Sequence, residues 1–201
     1  MLVSGIKSRP IYGGLKPHPG ARRHLIVIEG EGALAAVDLV AKSSGDFLSR
    51  ATILYAASGS AAQKHADMLR SLGVDACHLF PTVPTLMFRL TGILSTSTMG
   101  TRIYVSGTEG FIAQIIQLAL AHQVDHQSIA TEHRGSLARR VQCVHCKGIT
   151  EDVTTNVVSC AHCRLNLLVR DHYSRRLGAF MGVAVDAEAP GELPPVREIY
   201  R

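Results

Sequence analysis

Apolar positions along the chain alternate between short continuous runs and sets spaced like one face of a helix. His24–Gly30 (HLIVIEG), Ala51–Ala57 (ATILYAA), Val74–Phe80, Arg102–Ser106 and Asp125–Glu132 have the length of buried strands. Between them lie helix-like segments. Glu31–Lys42 sets Leu34, Val37 and Val40 at helical spacing, and Ser60–Leu72 closes on Gly73. Pro84–Leu94 follows a proline pair, and Glu109–Gln123 puts Ile112, Ile115, Ile116 and Leu120 on one face. Strands alternating with helices predict the α/β class, with a parallel, doubly wound five-stranded sheet over residues 24–133.

The flanks read differently. Residues 1–23, rich in Gly, Pro and basic side chains, are expected to form an N-terminal arm. Arg134–Arg140 is a polar linker, residues 141–172 a cysteine module, and 173–201 a tail. Its end, rich in Pro and acid, has too few apolar residues to fold alone, so the tail is expected to bind a partner.

Hydrophobic residues make up 46% of the 201 and charged residues 18%, which calls for a packed core. No apolar run approaches the ~20 residues of a membrane helix, and the N-terminus lacks a secretory pattern, so a cytoplasmic protein without a membrane is expected. The net charge of +5 is spread along the chain, Trp is absent and aromatics are 5%. A nucleic-acid surface concentrates charge and interleaves aromatics, so protein partners are the expectation.

Four of the five cysteines form two pairs, Cys143-Val-His-Cys146 and Cys160-Ala-His-Cys163, thirteen residues apart. Two residues between cysteines let one tight turn aim both sulfurs at one ion, and four thiolates make a tetrahedral site. We expect a zinc ribbon on Cys143, Cys146, Cys160 and Cys163, with the intervening segment as a hairpin and Gly148 supplying a positive φ. Zinc is favoured over iron, although four sulfurs suit either. His145 and His162, between the cysteines, point away if the cysteines point in, and Cys77 reads as a core residue of a buried strand. Asp171-His172-Tyr173-Ser174 reads as a capping or contact cluster, and no residue is assigned a catalytic role.

HLIVIEGEGALAAVDLVAK, TILYAASGSAAQKHADMLRSLG and RIYVSGTEGFIAQIIQLALAHQV, followed by SIATEH, resemble the pyridine-nucleotide domain of ferredoxin reductases over residues 24–133. The resemblance implies a pyrophosphate turn at Gly30 and Gly32 and a nicotinamide turn at Ser106, Gly107, Thr108 and Glu109, with Tyr55–Ser58 as the ribose edge. NAD(P)H is thus a candidate ligand. The departures are Ala33-Leu34-Ala35 in place of the family's Thr/Ser-Pro step, two carboxylates (Glu29, Glu31) at an anion site, Ser106 and Thr108 for Cys and Pro, and no arginine after Ser58. The 23 residues ahead of the sheet are too few for a flavin barrel. A docking scaffold is therefore the favoured expectation.

Sheet, ribbon and LLVRDHYSRRLGAFMGVAVDAEAPGELP together resemble the small subunit of bacterial dimethylamine monooxygenases. That resemblance implies an NAD(P)H- and oxygen-dependent N-demethylation of dimethylamine to methylamine and formaldehyde. Haem would reside in a partner oxygenase subunit, flavin and an iron–sulfur cluster in a partner reductase subunit. A nucleic-acid-binding ribbon module and a rubredoxin-like electron carrier are the alternatives.

Overall fold

The computed structural model describes residues 8–201. The first seven residues of the expected arm lie outside the described residues. The chain forms two compact units, one of Tyr12–Gly135, the other of Ser136–Arg201 together with the N-terminal segment up to Ile11.

The first unit is the predicted α/β fold. Its strands are β1 (Arg23–Glu29), β2 (Ala51–Ala56), β3 (Ala76–Phe80), β4 (Thr101–Gly107) and β5 (Ile129–His133). They pair in parallel in the order β3-β2-β1-β4-β5. The crossover helices are α1 (Gly32–Ala41), α2 (Ala62–Arg70), α3 (Val83–Leu94) and α4 (Glu109–Ala121). Side chains alternate across the sheet, so Ile26, Ile28, Ile53, Tyr55 and Tyr104 pack with α1 and α2. Leu25, Val27, Leu54, Ile103 and Val105 pack with α3 and α4 on the other face. The order reverses between β1 and β4, so a crevice opens at their carboxyl ends.

One expected helix face is rotated. On α1 the buried residues are Gly32, Ala33, Ala35, Ala36 and Leu39, whereas Leu34 is exposed and Val37 half-exposed. Small residues face the sheet because α1 sits so close to it: a Cβ on Gly32 would lie 2.2 Å from Ser106 O. On α4 the expected Ile112 and Ile115 are buried and Ile116 packs against the core, joined by Phe111, Ala113 and Ala119, while the expected Leu120 is exposed. Cys77 is half-buried, not deeply buried, because β3 is an edge strand.

In the second unit β6 (Arg139–Cys143), β7 (Ile149–Val153), β8 (Val157–Ser159), β9 (Asn166–Ser174) and β10 (Ala179–Ala184) form a sheet ordered β7-β6-β10-β9-β8. The expected module boundary at 172 falls inside β9. The expected tail supplies β10, the central strand, parallel to β6 and antiparallel to β9. A ribbon of ~30 residues has too little core of its own, and Phe180 of β10 is buried with Val141, Leu167 and Val169 to supply it.

The end of the tail also returns to this unit. Thr154 O accepts from Ile199 N and Tyr200 N, both at 2.9 Å, and Arg197 N donates to Asn156 Oδ1 at 2.6 Å. Tyr200 is buried, and the Arg139 guanidinium lies between its ring and that of Phe180, 3.8 Å from each centroid. Arg139 also donates to Asp171 Oδ1 at 2.8 Å, and Arg9 to Asp171 Oδ2 at 2.5 Å. Burial opposes ionisation of Asp171, but these two guanidinium groups outweigh it and hold its carboxyl below the usual range. Ser8 pairs beside His172, and Tyr173 packs edge-on to Phe180 at 5.1 Å, so the expected polar cluster at 171–174 is the end of a strand.

Candidate metal centre

Cys143 ends β6 and Cys160 follows β8, so each pair of cysteines turns one strand into the next. The two turns are built alike. Cys143 N donates to Gly148 O (2.9 Å) and Lys147 N to Cys143 O (3.0 Å). Cys160 N donates to Leu165 O (2.9 Å) and Arg164 N to Cys160 O (3.1 Å). Each turn needs one left-handed residue, supplied by Lys147 (φ 64°) and Arg164 (φ 65°). Gly148 is therefore not the positive-φ position expected of it. It is small because a Cβ there would meet the His162 ring at 2.3 Å.

The thirteen residues between the pairs do not form a hairpin. β7 pairs with β6 and β8 with β9, on opposite edges of the sheet. The hairpins are the cysteine turns themselves. They are tied across by Ala161 N, which donates to Thr150 Oγ1 at 3.1 Å, and His162 Nε2, which donates to Ile149 O at 2.9 Å. His162 thus spends its nitrogen on the opposite turn, and His145 is exposed.

The four sulfurs converge, all within 4.8 Å of one another, with Cys143–Cys163 and Cys146–Cys160 both at 3.7 Å. A disulfide requires about 2.05 Å. A tetrahedron with zinc–sulfur bonds of about 2.3 Å has sulfur–sulfur edges of about 3.8 Å. The donor set therefore fits one tetrahedral ion. Burial opposes ionisation of Cys160, but the N–H groups of Cys163 and His162 aimed at its sulfur bring the thiol down to about 6. At Cys163 the Leu165 N–H favours the thiolate, yet burial and the three other sulfurs push the thiol up to about 12. Four thiolates share this space only around a cation.

Gly182 of β10 was not singled out by the sequence. It pairs with Cys143, its carbonyl accepts from Val144 N at 3.0 Å, and a Cβ on it would lie 2.7 Å from Val141. A glycine inside an apolar run was the available signal.

The expected nucleotide turns lie together at the switch point of the other unit. Gly30 (φ 49°) has Ser58 Oγ 2.5 Å from its would-be Cβ, and Gly32 abuts Ser106. Thr108 caps α4, accepting from Phe111 N at 3.3 Å, while its own hydroxyl donates to Glu29 Oε2 at 2.8 Å. The Glu29 carboxylate thus occupies the start of α4, where a helix N-terminus attracts an anion. Glu31 is the N-cap of α1 and makes no side-chain cap bond. Tyr12 reaches Glu109 (3.0 Å), and Leu15 N donates to Glu132 (2.9 Å). These residues do not fit a pyrophosphate: carboxylates stand at both helix starts.

The profile of the dimethylamine monooxygenase subunit DmmA-like N-terminal domain matches residues 4–129, and that of the C-terminal domain matches residues 140–183. The chain belongs to this DmmA-like family. A relative, the heme-dependent oxidative N-demethylase delta subunit of Ectopseudomonas mendocina (strain ymp), is 29% identical over 189 residues and 91% of each chain. Two solved structures are similar to parts of the chain. An intact type IV self-sufficient cytochrome P450 monooxygenase aligns at TM-score 0.45 and 19% identity, covering 87% of this chain and 22% of its own. Phthalate dioxygenase reductase aligns at 0.42 and 14%, covering 68% and 46%. Among the described residues no helix is long and apolar enough to cross a membrane.

Proposed function

We propose that this chain is the zinc-binding subunit of a multicomponent NAD(P)H- and oxygen-dependent dimethylamine monooxygenase. It organises a haem oxygenase subunit and a flavin and iron–sulfur reductase subunit, and it carries no reacting group itself. The observation that carries this reading is that both family domains match in order, one over each unit. The name of the relative, a subunit of an oxidative N-demethylase, supports it. The cysteine site supports a structural ion, since the ion would hold two hairpins and leave no open position for substrate. The carboxylates at Glu29 and Glu31 support placing the nicotinamide nucleotide on the reductase partner.

The test is affinity purification of the tagged chain from its native host, with metal analysis and a visible spectrum of the isolated subunit. The expected result is a complex that consumes dimethylamine and releases formaldehyde, and a colourless subunit with one zinc. An iron-coloured subunit would favour the electron-carrier reading instead. Recovery of the chain alone would overturn the subunit assignment.

A further inference from the structure

At the amino end of the sheet, opposite the crevice, the turn at 17–19 and the segment from Lys42 to Arg50 line a half-open cavity of about 450 Å³. That is the size of a small-molecule site. Its walls include Pro17, Pro19 and Phe47, and its floor includes His24. His24 is 1% exposed and stacks on Phe47 with ring centroids 4.0 Å apart.

The polar groups are already sorted. Arg50 donates to Ala21 O at 2.7 Å and to Asp46 Oδ1 at 2.5 Å, so that ion pair is internally matched. The Lys42 ammonium makes no hydrogen bond or ion pair among the described residues, although it lies in the field of the Glu132 carboxylate, and with Arg50 and Asp46 it gives the lining one net positive charge. Tyr104 is fully buried, and its hydroxyl accepts from His18 N at 3.1 Å. The hydroxyl proton then goes to His24 Nδ1, 3.1 Å away, which places the imidazole proton on Nε2. Nε2 has no partner among the described residues. Burial, and then the Arg50 charge, lower the His24 pKa and keep the ring neutral near pH 7.

The geometry points to a binding site for a small planar monocarboxylate, its flat body against Phe47 and the prolines, its carboxylate taken by His24 Nε2–H and Lys42. One negative charge matches the net positive charge of the lining. The floor is rigid because His24 is held from both sides, by Tyr104 and by Phe47.

The test is a titration of the full chain with benzoate, read from the His24 imidazole and Phe47 ring resonances. Benzylamine serves as the reversed-charge control and inorganic phosphate as the control without a flat body. Saturable shifts with a Kd below about 5 mM, weakened at least tenfold in Lys42→Glu and absent with either control, are expected. Lys42 is exposed, so that variant keeps the fold; His24→Gln, if it folds, is expected to abolish the shifts. No saturable shift with benzoate, an equal response to benzylamine or to phosphate, or unchanged affinity in Lys42→Glu would each overturn the assignment.

Discussion

At the scale of single residues, the cysteine turns carry a lesson about glycine. Gly148 lies where the His162 ring crosses from the other turn to reach Ile149 O. Any side chain there displaces that ring and breaks a bond that couples the two halves of the site. Gly148→Ala is therefore expected to lower metal affinity by about tenfold, the scale of losing a group that orients ligands. Competition with a chromophoric chelator measures it, and unchanged affinity would contradict the steric account. The convergence of the four cysteines was legible in the sequence because spacing alone fixes how two sulfurs share a turn. The left-handed conformations of Lys147 and Arg164 were not, since both residues carry side chains that argue against positive φ. The cation–π sandwich of Arg139 was hidden for another reason: Phe180 and Tyr200 are distant in sequence and meet only through the sheet.

Among the elements, the five strands and four helices of the first unit were readable, because each buried strand is a continuous apolar run. The inward face of α1 was not. Sequence periodicity favours the largest apolar residues, whereas close packing on a sheet selects small ones at the contact. The same preference for bulk concealed β10, whose AFMGVA includes a glycine needed beside Val141. The end of the tail belongs with these elements, since Tyr200 completes the second core. Tyr200→Ala is expected to destabilise that unit by about 3 kcal/mol, from lost burial and the lost cation–π contact. Urea denaturation followed at C-terminal-unit resonances measures this, and a loss under about 0.5 kcal/mol, the size of an ordinary surface substitution, would refute it.

For the whole molecule, each unit has its own core, and among the described residues the α-helices all lie in the first. Metal removal is thus expected to act on one unit alone. With a strong chelator present, all four cysteines of the centre should become reactive toward a thiol reagent while the helical circular-dichroism signal holds. Loss of that signal on chelation would show that the units are not independent. Sequence reading placed the two units in order, but it did not reveal that the segment up to Ile11 joins the second one. Ser8 is joined to β9 through Asp171 O and Tyr173 N, the latter a pairing across 165 residues of sequence.

That stitch has a consequence for how the protein is made. The cysteine unit begins before the sheet unit and ends after it, so the sheet unit is an insertion within it. On the ribosome the inserted unit is complete and free to fold first, while Ser8 waits for a strand not yet translated. Tyr200 emerges later than every cysteine. Capture of the metal is accordingly a late event in biogenesis, and a cell starved of it would accumulate chains with a finished sheet and an open second unit.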